Sequence, residues 1–166
     1  EVRLNASFAR AMPRPGPIGF LSQSGALCTA VLDYAAGKNI GFSKFISVGN
    51  KADVGEVDLV RYLADDPQTG VILMYLEEIT AGAQLIEVAR EITSRRDASK
   101  PILAIKGGRT AAGAAAAQSH TGSLAASDAV CDGALQQAGI IRCRSIEEMF
   151  NTAQLLTAEP LPRGRR

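Results

Sequence analysis

The sequence has no tryptophan, one histidine and three cysteines in 166 residues, and aromatic residues make up only 5%. The spacings of Cys28, Cys131 and Cys143 match no zinc pattern, so we expect reduced, packed thiols in a cytoplasmic protein. No apolar run approaches the roughly 18 residues of a membrane span, and no secretory signal is visible. The formal charge of +1 gives no electrostatic footprint for nucleic acid.

Short apolar runs alternate with amphipathic segments along the whole sequence. The runs predict strands at residues 17–22, 44–48, 71–76, 101–105 and 140–143. The segments after them predict helices at 26–38, 57–64, 84–95, 128–137 and 145–156, the last opened by a capping box of Ser145 and Glu148. This alternation predicts an α/β fold, a flavodoxin-like doubly wound sheet of about five mostly parallel strands with helices on both faces.

Three segments are expected along the chain. Residues 17–157 are long enough for one domain with its own core. Residues 1–16, where prolines and a glycine lie close together, predict an irregular arm or linker, and residues 158–166 predict a second linker. Because the sequence starts at Glu1 rather than Met, we expect a fragment of a longer multidomain protein.

Polar, glycine-containing turns follow the predicted strands, and a doubly wound sheet binds its ligand at those strand ends. The turn after the first strand is SQSGA, made of Ser22, Gln23, Ser24, Gly25 and Ala26. It leads into a helix whose free N–H groups attract an anion, so an anion site is predicted there. An ordinary helix cap without a ligand is the alternative, because the turn is neither a Walker loop nor a GxGxxG fingerprint.

Charged residues follow the second and fourth strands as well. Gly49, Asn50 and Lys51 offer an amide and a cation after the second strand, and we expect them to contribute to substrate binding. Lys106 and Arg109 flank two glycines after the fourth strand and could hold an anionic group. A polar turn in the first case, and solvated charges in the second, are the alternatives.

The single histidine, His120, follows the fourth strand in AAAAQSHTGSLAASD, where Gly122 and the alanines leave room for a second body. A nucleophilic histidine needs one ring nitrogen free and the other held by an acceptor. Glu77, which follows the third strand more closely than Glu78, is the first candidate acceptor. A surface or satisfied core histidine is the alternative. The residue types also allow a Ser-His-Asp triad, although there is no G-x-S-x-G elbow.

Several stretches together carry a family resemblance; they are GFLSQSGAL, GFSKFISVGNKADV, YLEEI, KPILAIKGGRTAAGAAAAQSHTGSLAASD and QAGIIRC. In this order they resemble the nucleoside-diphosphate-forming acyl-CoA synthetases, relatives of succinyl-CoA synthetase and of the ADP-forming acetyl-CoA synthetases. The resemblance covers about residues 15–156 and implies the succinyl-CoA ligase-like, flavodoxin-type domain of that family.

The resemblance implies a role for each site residue. His120 would be transiently phosphorylated and would relay the phosphoryl group between an acyl phosphate and a nucleotide. Glu77 would hold the histidine, and the SQSGA turn with Gly122 would bind the phosphate. These roles agree with the physical needs of a phosphorylated imidazole, which are backbone N–H groups, a helix dipole and an acidic partner on the opposite ring nitrogen.

The resemblance also implies what the complete protein uses. The fragment alone is expected to bind no cofactor or metal and to be inactive as an enzyme. The full-length ligase would use CoA, ATP or ADP, phosphate, Mg²⁺ and a small carboxylic acid. It would need a CoA-binding Rossmann domain and an ATP-grasp domain or subunit. The alternative is a non-catalytic, acyl-CoA-sensing domain of a synthetase-like protein acetyltransferase, and a flavin-binding flavodoxin is a weaker third reading.

Overall fold

The computed structural model describes residues 12–49, 51, 53–95, 98–109 and 127–160. In these ranges strands and helices alternate. The strands are β1 (Arg14–Ser22), β2 (Gly41–Ser47), β3 (Val71–Leu76), β4 (Ile102–Lys106) and β5 (Ile141–Arg142). The helices are α1 (Gly25–Gly37), α2 (Glu56–Asp65), α3 (Gly82–Ser94), α4 (Asp128–Gln137) and α5 (Ile146–Ala158).

The strands form one parallel five-stranded sheet in the order β2-β1-β3-β4-β5. This is the strand order of flavodoxin-like doubly wound sheets, so the predicted fold class is confirmed. Nearly every residue of β3 and every residue of β4 is buried, as expected for parallel strands covered on both faces. Because the strands are parallel, all of their carboxyl ends meet at the same edge of the sheet.

Two hydrophobic clusters hold the helices against the two faces of the sheet. On one face, α2 and α3 pack through aliphatic side chains such as Leu63 and Val88. On the other face, α1 and α5 cover a cluster that includes several aromatic rings. There Phe20 is fully buried and stacks on Phe45 and Phe150, with ring centroids 5.0 and 6.1 Å apart. Burying one such side chain contributes about 1.5–3 kcal/mol.

The first strand begins earlier than the sequence predicts, at Arg14, inside the stretch expected to be irregular. Arg14 is in register with Gly41 at the start of β2. A Cβ on Gly16 would lie 2.4 Å from the carbonyl carbon of Gly41, so the two glycines permit a close approach that larger residues would block. The other elements begin and end within three residues of the predicted bounds. The division into linkers and a domain stays a prediction.

The predicted capping box at the start of α5 is only half correct. The Ser145 hydroxyl accepts from the Glu148 amide at 3.1 Å, as predicted. The Glu148 carboxylate accepts instead from the Arg144 amide at 2.7 Å, one residue before the N-cap. The cap therefore fixes the approach of the chain to α5 as well as the first turn of the helix.

The side chains of Cys28, Cys131 and Cys143 are buried, as the sequence predicts. Burial raises the pKa of Cys28, and it raises the pKa of Cys143 to about 11, so both remain protonated thiols at neutral pH. None of the helices within the described ranges has the length and apolarity needed to cross a membrane.

Candidate functional site

The candidate site lies where the strands end. We call the described residues at and after these ends, 22–26, 48–49, 51, 53–56, 77–81 and 106–109, the carboxyl edge. In the sheet register, Ser22 at the end of β1 lies between Ser47 of β2 and Tyr75 of β3. Tyr75 in turn lies beside Ile105 of β4. The topology therefore brings together the SQSGA turn, the two glutamates after β3 and Lys106.

The SQSGA turn ends in a helix N-terminus with unused donors. The Ser22 and Ser24 hydroxyls shape the turn, because Ser22 Oγ accepts from the Ser24 amide at 3.0 Å and Ser24 Oγ caps the Leu27 amide at 3.4 Å. Within the described part of the chain, the amides of Gly25 and Ala26 have no acceptor. A Cβ on Gly25 would meet nothing within 4 Å. Two outward donors at the positive end of a helix suit an anion.

Gln23 is buried and directs its side chain at the backbone of the turn after β3. Its Oε1 accepts from the amides of Glu77 and Glu78 at 2.8 and 2.9 Å. Its Nε2 donates to the Glu78 carbonyl at 2.9 Å. Its own amide donates to the Tyr75 carbonyl at 3.1 Å. The carboxamide of Gln23 is therefore occupied by the glutamate backbone, and the phosphate contact of Gln23 stays a prediction.

Two lysines also bind carbonyl groups of the same turn. The ammonium of Lys106, which is buried, donates to the Glu77 carbonyl at 2.7 Å and to the Gly107 carbonyl at 2.8 Å. The ammonium of Lys51 donates to the Glu78 carbonyl at 3.3 Å. The backbone of Glu77 and Glu78 is thus held by side chains that come from the ends of β1, β2 and β4. The carboxylates are carried on a fixed support.

Glu56, the first residue of α2, is almost fully buried and was not among the site residues predicted from the sequence. Its carboxylate pairs with Lys51 at 3.2 Å and accepts from the Thr80 amide at 3.0 Å. Burial on its own raises the pKa of Glu56, but hydrogen bonds from backbone amides and the Lys51 ammonium outweigh it, so the pKa lies below its ordinary value. The one signal in the sequence is an acid at a helix start five residues after a lysine.

Comparison with known proteins agrees with this architecture. The family described as "Succinyl-CoA ligase like flavodoxin domain" matches residues 15–156. The chain belongs to this family. The resemblance seen in the sequence motifs is therefore confirmed at the level of the family and the fold.

Three similar proteins are larger ligases or ligase subunits. The chain is 43% identical to the ADP-forming 4-hydroxybutyrate–CoA ligase of Nitrosopumilus maritimus, over 98% of this chain and 23% of the relative. It is 44% identical to subunit alpha of the ADP-forming acetate–CoA ligase I of Pyrococcus furiosus, over 98% of this chain and 34% of the relative. The structure of acetyl-coenzyme A synthetase 1 of Ca. Korarchaeum cryptofilum in complex with phosphate and ADP superposes with a TM-score of 0.88 at 46% identity, covering 98% of this chain and 34% of that chain.

The comparisons show which part of the larger ligases corresponds to this chain. The chain spans about a quarter to a third of their length. It is homologous to the ligase-like domain of ADP-forming acyl-CoA synthetases, and the same kind of domain occurs in subunits and in single-chain ligases.

Arg109, one of the two cations predicted to hold an anionic group, lies close to an acidic residue. Its Nε lies 3.9 Å from Asp128 Oδ2 at the start of α4, and Arg142 binds the same carboxylate. The Arg142 hydrogen bond, ahead of the charges of Arg142 and Arg109, lowers the pKa of Asp128. Lys51, expected to bind substrate, has its ammonium in the buried pair with Glu56.

Several predicted site residues lie outside the described residues. They are Asn50 and the stretch 110–126, which contains His120 and Gly122. Arg109, the last described residue before that stretch, belongs to the carboxyl edge and approaches Asp128, the second described residue after it. Gly49 has a left-handed φ of 61°, and Lys51 has one of 51°, so the turn after β2 is sharply bent. In the described ranges, no three His, Cys, Asp or Glu residues group together so as to hold a metal ion.

Proposed function

We propose that this chain is the phosphohistidine-carrying domain of an ADP-forming acyl-CoA synthetase, which converts an acid, CoA and ATP reversibly into acyl-CoA, ADP and phosphate. The observation that carries the proposal is that Gln23, two residues before Gly25, binds the Glu77 amide, while the Gly25 and Ala26 amides have no acceptor among the described residues. An anion site and an oriented carboxylate on one edge are what a phosphorylated histidine requires. The names of the relatives supply the ligase chemistry.

His120 is the proposed nucleophile. A ring nitrogen attacks the phosphorus of an acyl phosphate, the bond between phosphorus and the acyl oxygen breaks, and the carboxylate leaves with the electron pair. Glu77 accepts the N–H of the other ring nitrogen and stabilises the positive charge that develops on the ring. In the second half-reaction a terminal oxygen of ADP attacks the same phosphorus, the N–P bond breaks, and the neutral imidazole is restored.

The SQSGA turn is the proposed phosphate cradle. Gly25 and Ala26 contribute their amides, while Ser22 and Ser24 hold the turn in shape through the hydrogen bonds described above. Gly122 is proposed to let the phosphoryl group approach the backbone. Gly49, Asn50 and Lys51 are proposed to border the substrate; because Lys51 is paired with Glu56, its contribution is to fix the turn.

The complete protein is proposed to contain or bind a CoA-binding Rossmann domain and an ATP-grasp domain, and to act in the cytoplasm on a small carboxylic acid. CoA, nucleotide and phosphate are its substrates and products. Mg²⁺ is proposed to be bound in the complete protein together with the nucleotide phosphates.

The test is phosphorylation of the complete protein. We expect incubation with γ-labelled ATP and Mg²⁺ to place acid-labile, base-stable label on His120, and His120→Ala to abolish it. Acid-stable label would indicate a hydroxyl acceptor instead, for which Ser119→Ala and Thr121→Ala serve as controls. Label that survives His120→Ala contradicts the proposal. An unlabelled protein that still binds acyl-CoA favours the regulatory alternative.

A further inference from the structure

Among the described residues, three side chains hold the backbone of Glu77 and Glu78. Gln23 binds both amides and one carbonyl, and two lysines bind the carbonyls. A turn in a parallel sheet ordinarily leaves some of these groups to water, because loops run over the surface. Here the polar groups of two consecutive residues are saturated by a buried carboxamide and two largely buried ammonium groups.

We infer that Gln23 is a positioning residue for Glu77, a role that rests on the proposed function of Glu77. A carboxamide is suited to this role because it carries an acceptor and a donor on one planar group. Its oxygen joins the two successive amides of Glu77 and Glu78, and its nitrogen fixes the following carbonyl. This sets the orientation of both peptide planes, and with them the direction of the bond from Cα to Cβ in Glu77.

The hydrogen bonds of Gln23 to Glu77 and Glu78 have a second consequence, because Gln23 lies close to the start of α1. Gln23 lies two residues before Gly25, and its own amide is bonded to β3 through the Tyr75 carbonyl. The start of α1 and the backbone of Glu77 are therefore held at a fixed separation by one residue. A group transferred at this edge would find its anion site and its carboxylate already arranged, which removes an ordering step from the reaction.

The test uses the complete protein and the rate of His120 labelling. Gln23→Met keeps the length of the side chain and removes its three hydrogen bonds to the backbone of Glu77 and Glu78, while the bonds from Lys51 and Lys106 remain. We expect it to slow labelling by about 10- to 100-fold, by analogy with the loss found when groups that orient a metal ligand are removed. Exchange of the Glu77 and Glu78 amides with solvent should become faster. Gln84→Met, on an exposed glutamine of α3, is the matched control and should change neither quantity.

A double-mutant cycle separates positioning from general destabilisation. If Gln23 acts through Glu77, Gln23→Met combined with Glu77→Gln should label no more slowly than Glu77→Gln alone. Lys100→Met, which removes two hydrogen bonds far from this turn, should lower the melting temperature without slowing labelling. Gln23→Asn, one methylene shorter, takes the place of Gln23→Met in the cycle if the latter does not fold.

The outcomes are distinct. Labelling of Gln23→Met at the normal rate, or rate losses that multiply in the double variant, would overturn the positioning role and leave the proposed function standing. Absence of label on the unaltered protein would overturn the proposed function and the positioning role together.

Discussion

The two ends of α2 carry similar polar groups at opposite edges of the sheet. Each end has a carboxylate, a lysine and a threonine in contact: Glu56, Lys51 and Thr80 at the carboxyl edge, and Asp66, Lys44 and Thr69 before β3. We call residues 65–70 and 98–101, which precede β3 and β4, the amino edge. The pKa of each carboxyl is lowered below its ordinary value.

The two sets differ in what they hold. At the amino edge, Asp66 accepts from Thr69 only three residues away, and Lys100 donates to the Leu63 and Asp66 carbonyls at 3.1 and 2.6 Å. These contacts satisfy the carbonyls at the end of a helix, where a cation is favoured. At the carboxyl edge, the contacts of Glu56 and Lys51 join turns that follow different strands. One edge closes a helix, and the other orients the backbone of a candidate site.

The largest expected effect is the loss of the Glu56 pair. Glu56→Gln leaves the ammonium of Lys51, which is 9% exposed, without a countercharge. We expect a loss of about 3–5 kcal/mol in the free energy of unfolding, measured by urea denaturation. Asp66→Asn should lose only about 1 kcal/mol, because Lys44 is 30% exposed and water can solvate it. Glu87→Gln on the exposed face of α3 is the control; equal losses at Glu56 and Asp66 would remove the distinction between the edges.

The second comparison uses two lysines, Lys100 just before β4 and Lys106 at its last position. Lys100 and Lys106 each donate to two backbone carbonyls, at opposite edges. We expect Lys100→Met and Lys106→Met each to lower the free energy of unfolding by about 1.5–3 kcal/mol. Only Lys106→Met should also slow labelling of His120 in the complete protein, by about tenfold, because it releases the Glu77 carbonyl. Slower labelling in Lys100→Met would show that the rate follows stability rather than the geometry of the carboxyl edge.

The sequence predicts the elements well because their signals are local. Six consecutive apolar residues at 71–76 predict β3 with its correct bounds. The predicted start of β1 was wrong, because it depends on the close approach of Gly16 to Gly41, which are distant in the sequence. Gln23 illustrates what the sequence alone could not predict, which is a contact between residues that are far apart in the chain. Its position in a polar turn indicates a ligand contact, and its actual partners at Glu77 and Glu78 follow from β1 and β3 being neighbours in the sheet.

Lowering the pH should reduce the contributions of Glu56 at the carboxyl edge and Asp66 at the amino edge to the free energy of unfolding. The reduction should be larger for Glu56. Because each carboxyl has a lower pKa in the folded state, its contribution is complete above the unfolded pKa, about 4.3 for Glu and 3.9 for Asp, and is lost as the pH falls through the folded pKa. The free energy of unfolding should therefore decrease below about pH 4.3. Glu56→Gln should flatten that decrease more than Asp66→Asn, as denaturation at several pH values would measure. An unchanged slope in Glu56→Gln would mean that this carboxyl is not stabilised in its ionised form.

The smallest expected change in the free energy of unfolding concerns two glycines, one at each end of α1, which form a matched pair. A Cβ on Gly25 at the carboxyl edge, or on Gly37 at the other end of the helix, would meet nothing within 4 Å. Neither glycine has a left-handed φ, so alanine is accommodated at both positions and should raise the free energy of unfolding by at most about 1 kcal/mol.

The two alanines should nevertheless differ in function. The methyl group of Gly25→Ala enters the space beside the free amides of Gly25 and Ala26, where the phosphoryl group is proposed to bind. We expect Gly25→Ala to slow labelling of His120 while Gly37→Ala leaves it unchanged, with the melting temperature of both at or above that of the unaltered protein. A rate loss in a variant that has gained stability cannot be attributed to unfolding. Equal labelling of the two variants would instead mean that the start of α1 is an ordinary capped helix.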